Sequence, residues 1–398
     1  MSTIAPDETG QRTRKRRRRR LIAGVLGLLV LGGGGLGWWL SRPAPDLPAR
    51  MVMDGGEGDA EVWDLAYSPD GSMLAIATAR GLALRDSSDG RLIRTLPASP
   101  RFATIAFSPD GSKVAVGGAG TDDATAWDVA TGRQLATFAS TNQLVAMRFS
   151  PDGQTLNLVV LREMGKGVEI VLWDAAAWVE RSRTELPGAG VTYQKAVALS
   201  ADGATLALAP ANEKNAVTLW DVGSGRPRGT LHAGPGLHWP NFTSLAFSPD
   251  GKSLASTRED GSILVLDLAT SRPRARLMPH TRGVNPGGLE FTPDGRALVT
   301  VASGWPRSGM QLPSLPFGVE RLLSKETVSA DLKQEFMLWH VDRGMLGMAS
   351  ETEVMREVAG TTMRRGPAHA FAISPDGKTL ATAHGDGKIR LRDIGKGR

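Results

Sequence analysis

The sequence predicts an all-β chain, a seven-bladed β-propeller of four-stranded blades, and three observations carry that prediction. A short turn motif recurs seven times, a Trp-Asp-like mark recurs at a fixed place after it, and the 48 Gly and 24 Pro of the 398 residues suit many short strands joined by tight turns. There are no cysteines, which excludes disulfides, thiolate catalysis and Cys-type metal centres.

The turn motif is Ser68-Pro69-Asp70-Gly71. It returns at Ser108, Ser150, Ser200 (with Ala201 in place of proline), Ser248, Thr292 and Ser374. The spacings are 40, 42, 50, 48, 44 and 82 residues. Proline presets φ for a turn's second position, aspartate bonds nearby backbone, and glycine accepts a positive φ. Alternating apolar runs flank each copy, such as Thr104–Phe107 before and Lys113–Val116 after, so each copy predicts a hairpin.

A third strand ends on Arg85-Asp86, Trp127-Asp128, Trp173-Asp174, Trp220-Asp221, Leu266-Asp267, Trp339-His340 or Arg392-Asp393. A fourth apolar stretch then leads on, for example Gln134–Phe138. Units of four strands whose third ends in Trp-Asp resemble the WD-repeat family, over about residues 50–398. The resemblance implies that the Trp-Asp aspartates are structural. It also implies a His–Ser/Thr–Asp–Trp hydrogen-bond set, which most units here lack, since Arg85, Leu266 and Arg392 replace tryptophan. The S-P-D-G turn is also similar to that of exported propellers of the Tol type.

The chain ends five residues after the seventh third strand, so the last unit has no fourth strand of its own. Residues about 47–55 precede the first unit and are expected to supply it, closing the ring and removing its sheet edges.

Ahead of the ring the character changes. Residues 1–20 form a basic tail with eight Lys and Arg against Asp7 and Glu8, a net of +6, while the remaining 378 residues balance at 39 basic and 39 acidic. The basic excess therefore lies outside the folded part, which argues against a phosphate-tracking nucleic-acid surface. Residues 21–40 carry no charge and end on Trp38 and Trp39, and twenty such residues can cross a bilayer as one helix. By the positive-inside rule the N-terminus stays in the cytoplasm and the propeller lies outside or in the periplasm. A cleaved export signal, with Arg18-Arg19 ahead of the apolar run, is the alternative. Residues 41–46 read as a Pro-rich spacer, and 47–398 as the propeller. The Arg-rich, Ala- and Gly-biased composition suggests a bacterial cell membrane.

The sixth unit carries an insert at about 304–334, and a second long connection follows at about 343–368. These segments and the loop 234–242 are expected on the rim that carries the loops between successive blades. They supply candidate partner-binding residues: His238, Trp239, Trp305, Arg307, Met310, Phe317, Arg364 and Arg365. No two histidines stand at metal-ligand spacing, and there is neither a G-x-S-x-G elbow nor a P-loop. No cofactor or metal site and no catalytic residue is assigned. The expected role is a membrane-anchored protein–protein interaction scaffold for envelope or membrane proteins. The alternatives are a propeller hydrolase or lyase on a small envelope substrate, and a ligand-sensing module.

Overall fold

The recurring turn is closed by its own side chains. Ser68 Oγ donates to Asp70 Oδ1 at 2.6 Å and accepts from the Met73 N–H at 2.9 Å. Asp70 Oδ1 also accepts from the Ser72 N–H, at 3.1 Å. The Gly71 N–H returns to the Ser68 carbonyl at 2.8 Å, with φ at 74°, a value that favours glycine. The same set recurs at Ser108 and Ser374. Thr292 keeps it, because it needs only a hydroxyl. The Ser200 turn keeps it too, although Ala201 replaces the proline.

Proline has a place the sequence does not show: it stands beside the glycine of a neighbouring turn. A methyl group at Gly71 would stand 3.4 Å from the Pro375 ring, and one at Gly111 would stand 3.7 Å from Pro69. Gly153, Gly295 and Gly377 meet Pro109, Pro249 and Pro293 in the same way. At Gly203, Asn157 Nδ2 instead donates to the glycine carbonyl at 3.1 Å.

The computed structural model describes residues 49–394 other than 56–60, 99–100, 120–123, 139–142, 163–166, 192–195, 211–215, 233–241, 259–261, 278–284, 305–332, 341–351, 359–369 and 385–386. Residues 46–398 cluster as one unit. The basic tail, the 21–40 span and the spacer lie outside the described residues. Among the described residues, no helix is long and apolar enough to cross a membrane.

Among the described residues the fold is all-β, with seven four-stranded antiparallel sheets, consistent with a β-propeller. Numbered along the chain, sheet 1 is 62–96, sheet 2 is 101–138, sheet 3 is 143–186, sheet 4 is 197–232, sheet 5 is 242–277 and sheet 6 is 285–358. Sheet 7 joins 371–393 to Met51–Asp54. The N-terminal strand is antiparallel to Lys388–Asp393, pairing Met51 with Leu391 and Met53 with Ile389. Arg50 N–H to Leu391 O, at 2.7 Å, and Gly55 N–H to Gly387 O, at 2.8 Å, bracket the ladder.

Seven apolar layers fill the gaps between successive sheets. Sheets 1 and 2 meet through Leu82, Leu84, Val114 and Trp127, and sheets 2 and 3 through Phe138, Leu156 and Trp173. Met53, Leu391, Leu65 and Ile76 join sheet 7 back to sheet 1. Five sheets carry a bulge between strands three and four at the Trp position, as at Trp127, Trp173 and Trp220, which adds local twist.

Two expectations need amendment. The connection 343–368 is not all rim loop: Thr352–Val358 pairs with Lys333–His340 as the fourth strand of sheet 6. Its Glu- and Met-rich composition gives little sign of a strand. In sheet 7, Arg392 does more than replace a tryptophan. Its Nη1 donates to Thr382 Oγ1 at 2.7 Å, and that hydroxyl lies 2.8 Å from His384 Nε2. A guanidinium thus takes the indole's place as donor.

Candidate functional site

The innermost strand of every sheet faces one axial channel, a cavity of about 490 Å³. At one register of these strands the sequence is nearly uniform. Two residues before each turn Ser or Thr stand Ala66, Ala106, Ala198, Ala246 and Ala372, but sheet 3 has Arg148 and sheet 6 has Glu290. Both line the cavity, as do Trp63, Asp64, Thr104 and Ser244. A bulge in the inner strands of sheets 1, 3, 5 and 6, around Trp63, Val145, Thr243 and Gly287, sets the side-chain direction just above this tier.

The electrostatics follow from the crowding. Burial pushes the Glu290 carboxyl up to about 7, Arg148 opposes that rise, and Asp64 adds to it. Burial also lowers the Arg148 guanidinium, against the pull of Glu290 and Asp202. Both side chains still meet channel water, which screens part of this effect. Asp64 is tied down, its Oδ2 accepting from the Ile105 N–H of sheet 2 at 2.9 Å. Among the described residues, Arg148 and Glu290 make no ion pair within 4.0 Å and no hydrogen bond.

The aspartates of the repeat are committed elsewhere. Asp128 Oδ1 accepts from both the N–H and the hydroxyl of Thr131, at 2.8 and 2.7 Å. The Ala177 N–H, Arg181 and the Ala176 N–H hold Asp174 down at about 2. Asp221 is held at about 2 by Arg228 and Ser224, and Asp110 at about 2 by Ser108 and Ser112. These carboxylates cap turns. Among the described residues, no group of three His, Asp or Glu could hold a metal ion.

His238, Trp239, Trp305, Arg307, Met310, Phe317, Arg364 and Arg365 lie outside the described residues. Sequence reasoning missed Arg148 and Glu290. Their signal was present as two charges in a register otherwise filled by alanine. It acquires meaning only once Arg148 and Glu290 are both seen to line the channel.

Ring, turns and Trp-Asp caps together define a repeat protein of the propeller class. The family model "WD domain, G-beta repeat" matches residues 235–267 and 362–393, reaching the third strands of sheets 5 and 7, so the chain carries WD repeats. It is 26% identical over 336 residues to nuclear distribution protein PAC1 of Arthroderma otae, covering 80% of this chain and 66% of that one. It is 24% identical over 379 residues to telomerase protein component 1 of Rattus norvegicus, covering 85% of this chain and 13% of that one. With autophagy-related protein 16 of Arabidopsis thaliana it shares 23% over 186 residues, 47% of this chain and 28% of that one. The chain thus spans less than two thirds of the length of each.

Proposed function

We propose that this chain is a seven-bladed WD-repeat propeller, tethered to a bacterial membrane by residues 21–40, that works as a protein–protein interaction platform. The observation that carries the reading is where the recurring polar groups go. The turn hydroxyls and carboxylates and the Trp-Asp aspartates are spent on holding turns, so the repeat builds a rigid ring and leaves recognition to what the ring displays. The relatives' names point to nuclear distribution, telomerase and autophagy, three unrelated settings, so a platform is what carries over and a particular process is not.

The proposed contact surface is the loop rim holding His238, Trp239, Trp305, Arg307, Met310, Phe317, Arg364 and Arg365. Its partner is an envelope or membrane protein. The enzyme reading would be favoured by His, Asp and Arg from three blades. Asp64, Arg148 and Glu290 do come from three sheets, but no described lining residue is a histidine.

Affinity purification of the full chain from membranes tests this. Gly304 and Lys333 are ladder partners, so residues 305–332 can be replaced by an Asn-Gly turn without parting the strands. Loss of specific partners is the expected result, and identical partner sets would remove the insert from the surface. Protease digestion of the propeller only after the inner membrane is breached would reverse the orientation.

A further inference from the structure

Arg148 and Glu290 stand at the same tier of the ring, three sheets apart out of seven, and so on opposite sides of the channel. The other five residues of that register are alanines. A cross-ring brace would bring guanidinium and carboxylate into contact, yet the two do not meet. They are coupled only through space. Opposite charges held apart across a cavity suit a molecule that carries both charges.

We propose that the axial channel binds a small zwitterion of the α-amino acid or short-peptide class, its carboxylate on Arg148 and its ammonium on Glu290. Guanidinium grips a carboxylate through two parallel N–H bonds. Glu290, with Asp64 near it and Trp63 in the same wall, offers the ammonium an anion and an aromatic neighbour. A singly charged ligand would satisfy one side and leave the other charge to water. A zwitterion answers both and leaves the net charge of the channel unchanged. Ser244 and Thr104, in the lining, can hydrogen-bond a peptide group. A cavity of about 490 Å³ lies within the range of small-ligand sites and exceeds one amino acid, which favours a dipeptide.

The test is calorimetric titration of the full chain in detergent with L-alanyl-L-alanine and L-leucine, beside N-acetyl-alanyl-alanine, which lacks the ammonium, and alanyl-alanine amide, which lacks the carboxylate. Saturable binding of the zwitterions, weakened about 10- to 100-fold in Arg148→Gln and in Glu290→Gln, is the expected result, since each removes one charge-assisted contact. Arg148→Lys should weaken binding less than Arg148→Gln, and it carries the test if the glutamine variant fails to fold. No saturable heat with either zwitterion up to about 10 mM would overturn the proposal, being weaker than any specific affinity of this kind. So would binding that survives in both charge variants, or equal binding of the amide, which would define a simple cation site. None of these outcomes depends on the protein-platform reading.

Discussion

Removing the N-terminal strand should open the ring. Compare a chain starting at residue 46 with one starting at residue 57. The second loses Met51–Asp54 and so leaves Lys388–Asp393 as the unpaired edge of sheet 7. Met53 is 6% exposed and sits among Leu391, Ile389 and Leu65, and its burial contributes about 2 kcal/mol. The two bonds that bracket the ladder, from Arg50 and Gly55, contribute about 0.5–1.5 kcal/mol each. These alone reach about 3–5 kcal/mol, before the bonds between them are counted and against a typical domain stability of about 5–15 kcal/mol. The new edge is also a template for pairing with a second copy. Lys388 and Arg390 alternate along it and repel such a copy, so association should quicken as salt screens them. Light scattering and thermal unfolding would show a lower midpoint and salt-dependent assembly. A peptide spanning 49–56, added in trans, should restore the midpoint, whereas one carrying Met53→Asp should not. A monomeric 57–398 chain with an unshifted midpoint would refute the reasoning.

Further expectations follow from the core, the turns and the channel. Phe138→Ala removes a ring that is 2% exposed and lies 4.7 Å edge-on to Trp173 and 5.8 Å from Trp178, so denaturant unfolding should show a loss of about 3–5 kcal/mol. An unchanged midpoint would mean the interface of sheets 2 and 3 is not packed as described. Asp110, Asp174 and Asp221 titrate lower in the folded chain than in the unfolded one, at about 2. Their stabilisation is therefore full above about pH 4 and is lost as pH falls towards 2, so acid titration should show stability declining over that window. Asp221→Ala should flatten part of that decline. Glu290 behaves in the opposite sense, since its folded value is raised to about 7. Its ionisation lowers stability as pH climbs from the ordinary carboxylate range through 7, with Arg148 opposing and Asp64 reinforcing the effect. Glu290→Gln should therefore gain slightly on the natural chain between pH 5 and pH 8, measured by urea unfolding, and no gain would mean that channel water screens the carboxylate fully.

How much the sequence disclosed depends on how local the chemistry is. The S-P-D-G turns were legible because hydroxyl, carboxylate and glycine act within six residues, and Thr292 and Ala201 confirm which atoms matter: threonine keeps the bond set, and so does a turn without its proline. The proline's place beside a neighbouring sheet's glycine brings together residues about forty or more apart and has no local signature. Thr352–Val358 has no strand signature of its own, because a strand rich in Glu and Met is recognised by its partner, Lys333–His340, more than by its composition. The channel charges were hidden for a different reason. An arginine before one turn and a glutamate before another are unremarkable in isolation, and they become a pair only when the ring superimposes seven copies of one register. In a repeat fold the residues that agree with one another describe how the ring is built. The information about what it binds lies in the positions that break the agreement, and in this chain the axis breaks it twice, at Arg148 and Glu290, with opposite sign.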